Sequence, residues 1–540
     1  MWKSLLLGVM FAMCLSTINA QTTVKGKLFG HDGKPLKAAN IFLMKDGASA
    51  VKSVQVGKDG SYSFLIDTAG VWTVRYTGVD HYMHDVLLFV EGQSTVGIDV
   101  RLKGYEYAED LSGVKVVGDF NNFSFESAVP LQKGSDGRYA LEFKATADSL
   151  AYQLIGVEKS GRSINGTNST RYAYDGGGDY KSIVIPVNGI ARIIFDTALI
   201  VRASEPAFVK FVNPDTRIAK MSGLAEDWQR YQEKVAAAET EFRKSGKDIS
   251  QFRYDASIDI SEVKSRLDKE TDSLVREGLL VNYLELCGMS GQFDSSETAK
   301  TLARIPPSSP AWSIDPNLIL RFGSTAVGKE GSYFDRYISE NPDESAKASL
   351  VFNEFIDAKY NNQREDAAKY YDILVNQLKD TPQGKRAKLR YVREGKIGAG
   401  MPVPDFSIKS FDDSTRLITN ESLLGKTYIV DFWATWCGPC VGEMKHLHDA
   451  YNKFKDKGFI ILSISLDASP ADVIAFRKDK WPMPWLHAFV GDWENTICKD
   501  FDVVAIPRPV LVDSKGKIVA MNNELRGAEL DKTLERILGK

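Results

Sequence analysis

Tyr428-Ile-Val-Asp-Phe-Trp-Ala-Thr-Trp-Cys-Gly-Pro-Cys440 is the stretch on which the reading of this chain turns. Ile429, Val430, Phe432 and Trp433 are apolar and strand-prone, with one acid, Asp431, among them, so the segment reads as a buried β-strand. Gly438 and Pro439 end the strand, and Val441 to Tyr451 carries apolar residues at helical spacing. Cys437 therefore lies where a helix begins and Cys440 about one turn inside it. The unpaired N–H groups and positive dipole end of a helix start favour a thiolate at Cys437 over one at Cys440. One sulfur is then exposed and nucleophilic, and the other is placed to attack a mixed disulfide behind it. That is the layout of a dithiol–disulfide exchange catalyst.

Three other readings of this Cys-x-x-Cys compete. It can be half a zinc site, with His446 and His448 close behind. On a helix, however, His446 points about 240° around the axis from Cys440, and His448 stands about 12 Å further along it. The sequence holds no second Cys-x-x-Cys. A structural disulfide across two residues would constrain the unfolded chain little. A peroxiredoxin's peroxidatic cysteine needs no partner three residues on. The redox dithiol is the reading retained, and no metal or cofactor is assigned.

Val430–Cys440 resembles the active-site segment of thioredoxins, Val504-Ala-Ile-Pro507 resembles the segment carrying the family's cis-proline, and Val510–Val519 resembles its closing hairpin. The lead-in Gly400-Met-Pro-Val-Pro-Asp-Phe406 is similar to the start of the exported TlpA/ResA-like branch, as is the length of chain between Asp467 and Pro507. The resemblance covers residues 398–540 and implies an α/β thioredoxin-like domain. It implies a redox-active disulfide between Cys437, the attacking thiolate, and Cys440, the resolving thiol. Asp431 would be a buried carboxylate that takes the proton of Cys440, its pKa raised by burial. Pro507 would be cis and pack against the disulfide, presenting backbone to an extended substrate. Trp436, Gly438, Pro439, Ile506 and Arg508 would line the substrate groove.

Two departures from the family pattern bear on that expectation. The lysine that usually pairs with the buried acid is replaced in Phe459–Asp467 by Ser463. After Pro507 come Arg508 and Pro509, where threonine and a hydrogen-bonding strand residue are commoner. Pro509 removes a backbone donor, and Arg508 would set a fixed positive charge beside the groove.

The remaining chain reads as further domains. A length of 540 residues suggests several, the hydrophobic content of 43% is that of a folded protein, and 68 basic against 71 acidic residues leave a charge of −3. That balance does not mark nucleic acid or an anionic membrane as a partner. Met1–Ala20 reads as a secretory signal peptide, with Lys3, the apolar core Leu5–Leu15 and a cleavage site at Ile18-Asn-Ala20. That core is too short to span a bilayer, and Met13 before Cys14 argues against a lipoprotein cysteine. Export without membrane insertion follows, to a periplasm or cell envelope. Residues 21–103 alternate strand-like runs with turns and resemble a carboxypeptidase-regulatory-like β-sandwich; His31, His81 and His84 there read as scattered loop histidines. Residues 104–212 resemble an early-set, glycogen-binding-like sandwich, but Phe120 and Phe123 stand where sugar binders carry tryptophan and are read as packing residues. Residues 213–397 are α-helical, with runs at Leu224–Lys244, Ser261–Leu280, Lys347–Asn361 and Asp366–Lys379.

Four cysteines follow the leader: Cys287, Cys437, Cys440 and Cys498. Cys287 reads as a buried thiol and Cys498 as a helical residue, with a bond between them left open. The whole predicts an exported enzyme that reduces client disulfides and draws electrons from a membrane thiol shuttle of the DsbD/CcdA kind, since its compartment is oxidising. The alternative is an envelope scaffold whose residues 21–397 bind glycan or peptide, with the thioredoxin-like domain as an accessory.

Overall fold

The computed structural model describes residues 21–539 except 37, 46–48, 126, 201–204, 292–293, 324–326, 329–330, 392 and 394–395. The expected leader, Met1–Ala20 with Cys14, lies outside the described residues. The chain divides into two compact units, Met1–Ala346 and Lys347–Lys540.

In the first unit, alternating apolar residues build two four-stranded sheets. One runs Phe208–Phe211, Ser94–Arg101, Thr22–Phe29, Ser61–Ile66; the other runs Ser49–Gln55, Ala39–Lys45, Gly70–Gly78, His84–Val90. Their inward residues, among them Val24, Ile41, Phe64, Val74, Leu88 and Ile98, form one core. Strand Phe208–Phe211 pairs antiparallel with Ser94–Arg101, far from it in sequence. A three-stranded and a five-stranded sheet between residues 115 and 195 enclose a second core around Val116, Tyr152, Leu154, Ile193 and Phe195. Phe120 packs against that core, its ring 5.0 Å from Phe143, and Lys181 lies 4.0 Å over the ring of Phe123. The histidines are not scattered over loops: His31 Nδ1 lies 3.0 Å from His81 Nε2, and His84, the first residue of strand His84–Val90, meets Glu226 through Nε2 at 2.9 Å.

Helices follow from Arg217–Lys244 onward. The periodic run 261–280 is not one helix but two, Ser257–Lys269 and Ser273–Ser290. Asp272 breaks it, because its carboxylate caps the N–H groups of Leu274 and Val275 and starts a new helix.

The second unit begins within helix Glu344–Tyr360 (α1), which is followed by shorter helices at Arg364–Asp372 and Pro382–Arg390. A five-stranded sheet is then built from Thr427–Trp433 (β1), Phe459–Ser465 (β2), Leu486–Phe489 (β3), Arg508–Val512 (β4) and Ile518–Met521 (β5). Its order is β3-β2-β1-β4-β5; the first two pairings are parallel and the last two antiparallel. Strand β1 is central and buried along its whole length. Successive side chains leave opposite faces. Tyr428, Val430 and Phe432 join one core layer with Leu462 and Val510. Ile429 and Trp433 join the other, with Met444, Leu447 and Leu530 of helices Gly438–Phe454 (α2) and Gly527–Leu538 (α3). Asp431 shares the parity of Ile429 and Trp433, so it faces the layer that also holds Cys437 and Cys440.

Candidate active site

Strand β1 ends at Trp433, and Cys437 is the residue that caps α2. The Cys440 N–H donates to Cys437 Sγ at 3.2 Å, and the two sulfurs form a disulfide. Once this bond is reduced, that N–H and the helix start both favour negative charge on Cys437. Both cysteines are buried, Cys437 at 5% exposure and Cys440 at 2%, while Gly438 and Pro439 between them are exposed. Trp436 projects into solvent at 61% exposure.

Asp431, on the face of β1 turned towards the cysteines' layer, is buried at 3% exposure. Burial raises its carboxyl to about 7, and the charge of Glu443 pushes the same way, against a hydrogen bond from Ser463. Ser463 is opposite Asp431 in the β1–β2 ladder, and its hydroxyl accepts from Trp485 Nε1 at 3.0 Å. A neutral hydroxyl thus occupies the register position where an ammonium would hold the acid ionised. Near pH 7 Asp431 is poised to exchange a proton.

Glu443 did not stand out in the sequence. Its Oε1 is 3.2 Å from Arg526 Nε, and its Oε2 accepts from the Gly527 N–H at 2.8 Å. A signal existed: three residues after Cys440, it shares that cysteine's helix face.

The Ile506–Pro507 bond is cis. Pro507 is buried and Ile506 half-buried. The Pro507 carbonyl accepts a 3.0 Å hydrogen bond from the hydroxyl of Tyr360, the last residue of α1. The structure corrects one expectation here. Arg508 sets no charge beside the groove; it is 1% exposed, and its Nη1 donates to the Tyr360 carbonyl at 3.1 Å and to Asn522 Oδ1 at 3.0 Å. Asn522 Nδ2 also donates to the Tyr360 carbonyl. The reason is strand parity joined to a nearby acceptor: the α1 terminus offers a carbonyl that a buried guanidinium can satisfy. Alongside, Lys359 Nζ and Asp502 Oδ1 pair at 2.9 Å with both side chains buried.

His448 lies against the rings of Trp481 and Trp485, 5.2 and 4.8 Å away. Cys287 and Cys498 are free thiols. Cys498 lies on helix Thr496–Asp500, and burial pushes its thiol up to about 12, which keeps it protonated at neutral pH.

Residues 399–521 match the AhpC/TSA family. Thiol-disulfide oxidoreductase ResA of Bacillus thuringiensis subsp. konkukian is 29% identical over 153 residues, 28% of this chain and 82% of that protein. The C-terminal domain is thioredoxin-like and similar to ResA. ResA of Bacillus subtilis matches at 29% over 126 residues, 23% of this chain and 66% of its own length. Among solved structures, the thioredoxin domain of a thiol-disulfide oxidoreductase from Bacteroides vulgatus is 32% identical to the thioredoxin-like domain. It covers 26% of this chain and 99% of that one, with a TM-score of 0.24. The two ResA proteins are named as thiol-disulfide oxidoreductases, which places the thioredoxin-like domain among enzymes of disulfide exchange. Among the described residues, no helix is long and apolar enough to cross a membrane.

Proposed function

We propose that this chain is an exported protein-disulfide reductase working through Cys437 and Cys440. The observation that carries the reading is the conjunction, in one layer, of a helix-capping Cys437, a resolving Cys440 and a buried Asp431 with its pKa near 7. In the reduced protein, the Cys437 thiolate attacks a client disulfide. A Cys437–client bond forms, the client S–S bond breaks, and one client thiolate leaves and takes a proton from water. Cys440 then gives its proton to the Asp431 carboxylate and attacks Cys437 Sγ. The Cys437–Cys440 disulfide forms, and the second client thiolate leaves. Two electrons have passed to the client, and the enzyme is left oxidised. A membrane thiol shuttle of the DsbD/CcdA kind would return them, because disulfides persist in an exported compartment.

Trp436, Gly438, Pro439, Ile506 and cis-Pro507 border the face from which a client approaches in this reading. The regions ahead of the thioredoxin-like domain are read as two β-sandwich-like modules, 21–103 and 104–212, and a helical region, 213–397. Seven of the eight strands in the two four-stranded sheets fall within 21–103, which supports the first of these, while the eighth, Phe208–Phe211, is lent to it by the chain beyond residue 103.

The test is insulin reduction by the full chain under reducing conditions. Cys437→Ser should abolish turnover, and Cys440→Ser should accumulate a mixed disulfide. Undiminished turnover by Cys437→Ser would refute the assignment.

A further inference from the structure

The thioredoxin-like domain does not face its client alone. A groove of about 530 Å³ runs beside the cis-proline, with Phe352, Ile356 and Tyr360 of α1 on one side and Val504, Ile506 and Pro507 on the other. The three α1 residues are spaced by four, so they form one stripe along the helix. Ile356 and Tyr360 on that stripe are half-buried and give the groove apolar surface, with Asp357, Arg386 and Arg526 as charged residues at the same groove. Pro439, which sits between the two cysteines, lines the same groove. The cleft therefore adjoins the dithiol.

Helix α1 is held to the cis-proline loop by an uncommon set of bonds. Its Tyr360 hydroxyl donates to the Pro507 carbonyl, its Tyr360 carbonyl accepts from buried Arg508, and its Lys359 pairs with buried Asp502. Arg508, a departure from the family sequence, is explained by this attachment. The wall is consequently fixed relative to the dithiol, and a fixed wall selects by shape and polarity.

Building on the reductase reading, we propose that the α1 stripe is a specificity wall. The groove takes an extended client segment carrying a bulky apolar side chain next to its disulfide-bonded cysteine. Tyr360 acts as a positioning residue, setting the cis-proline loop through the Pro507 carbonyl. One methylene in a closed apolar pocket is worth about 10–200-fold; this groove is open to solvent and partly charged, so the whole phenylalanine side chain is expected to gain only the low end of that, roughly tenfold over glycine.

The experiment uses the full chain in its reduced form and two mixed disulfides of glutathione with a cysteine peptide, one with phenylalanine and one with glycine beside the cysteine. The wild type should reduce the phenylalanine peptide with kcat/KM about tenfold higher, the difference lying in KM. Ile356→Asp should level the two peptides, Ile356→Leu should restore the preference, and Tyr360→Phe should raise KM for both. Equal kcat/KM for both peptides in the wild type overturns the wall while leaving the reductase reading in place. A preference that survives in a folded Ile356→Asp variant also overturns it. No reduction of either peptide or of a small aromatic disulfide overturns both readings. If Ile356→Asp does not fold, the wild-type peptide ratio and Tyr360→Phe still decide the matter.

Discussion

Replacing Asp431 by asparagine keeps the shape of the side chain and removes its titration. In the fold, burial and Glu443 hold this carboxyl near 7, against 3.8 for an ordinary aspartate. A gap of about 3 pKa units corresponds to about 4 kcal/mol. The sign follows from proton binding. Between about pH 4 and pH 7 the folded protein holds the proton more firmly than the unfolded chain, so stability falls as pH rises through that window. The contribution is fully present below the unfolded pKa and is lost once the pH passes the folded one. Asp431→Asn has no such loss. Hydrogen exchange of the β1 amides, corrected for intrinsic pH effects, should show the variant gaining on the wild type by about 4 kcal/mol between pH 4 and pH 8. The same variant should resolve a Cys437 mixed disulfide about a hundredfold more slowly, the usual scale for a positioned general base. A stability difference that stays constant with pH would refute the burial argument. A resolution rate equal to the wild type's would refute the proton-acceptor role.

Other expectations can be checked in the same preparations. His487 is buried near Arg477, and its imidazole is pushed down to about 4; its stabilising contribution is present above pH 6.5 and is lost as pH falls towards 4. His487→Gln should therefore flatten the acid side of the denaturation profile, and an unchanged profile would count against it. Lys359→Met should cost about 3–5 kcal/mol in denaturant titration by leaving Asp502 charged and unpaired in the interior. A loss under 1 kcal/mol would mean that water reaches the site. The Cys437–Cys440 couple, equilibrated against dithiothreitol, should fall nearer roughly −270 mV than about −120 mV, as Gly-Pro between the cysteines leads one to expect; the oxidising end would reverse the direction of electron flow. Gly26→Ala should abolish exchange protection in strand Thr22–Phe29, because a Cβ there would stand 1.7 Å from the Ile98 carbonyl oxygen. Retained protection would show that the two strands can part.

The elements of the thioredoxin-like domain were legible because they are written locally. An apolar run into Cys-Gly-Pro-Cys specifies both a buried strand and a helix start, and each of those signals spans only a few residues. Asp431 is assigned to the dithiol only through the resemblance to thioredoxins, and its parity with Ile429 and Trp433 in the fold agrees with that assignment. What escaped the sequence depends on distant partners. The burial of Arg508 needs the terminal carbonyl of α1, about 150 residues earlier, and no pattern around position 508 announces that. Tyr360 reads as one more residue of an amphipathic helix until the Pro507 carbonyl is beside it. The break at Asp272 is a different failure: the helical period continues through it, and a short side chain with two N–H groups in reach outweighs the periodicity.

The strand Phe208–Phe211 has a consequence for how the chain comes into being. It covers the side of Ser94–Arg101 that is not paired to Thr22–Phe29. A nascent chain made at about 5–20 residues per second needs about 5–20 s to supply it after residue 101 has emerged. For that interval Ser94–Arg101 is an open sheet edge, able to pair with a neighbouring copy. A chain stopped before residue 208 would keep that edge for good, so truncation within the 102–207 segment should yield aggregates rather than a smaller soluble product.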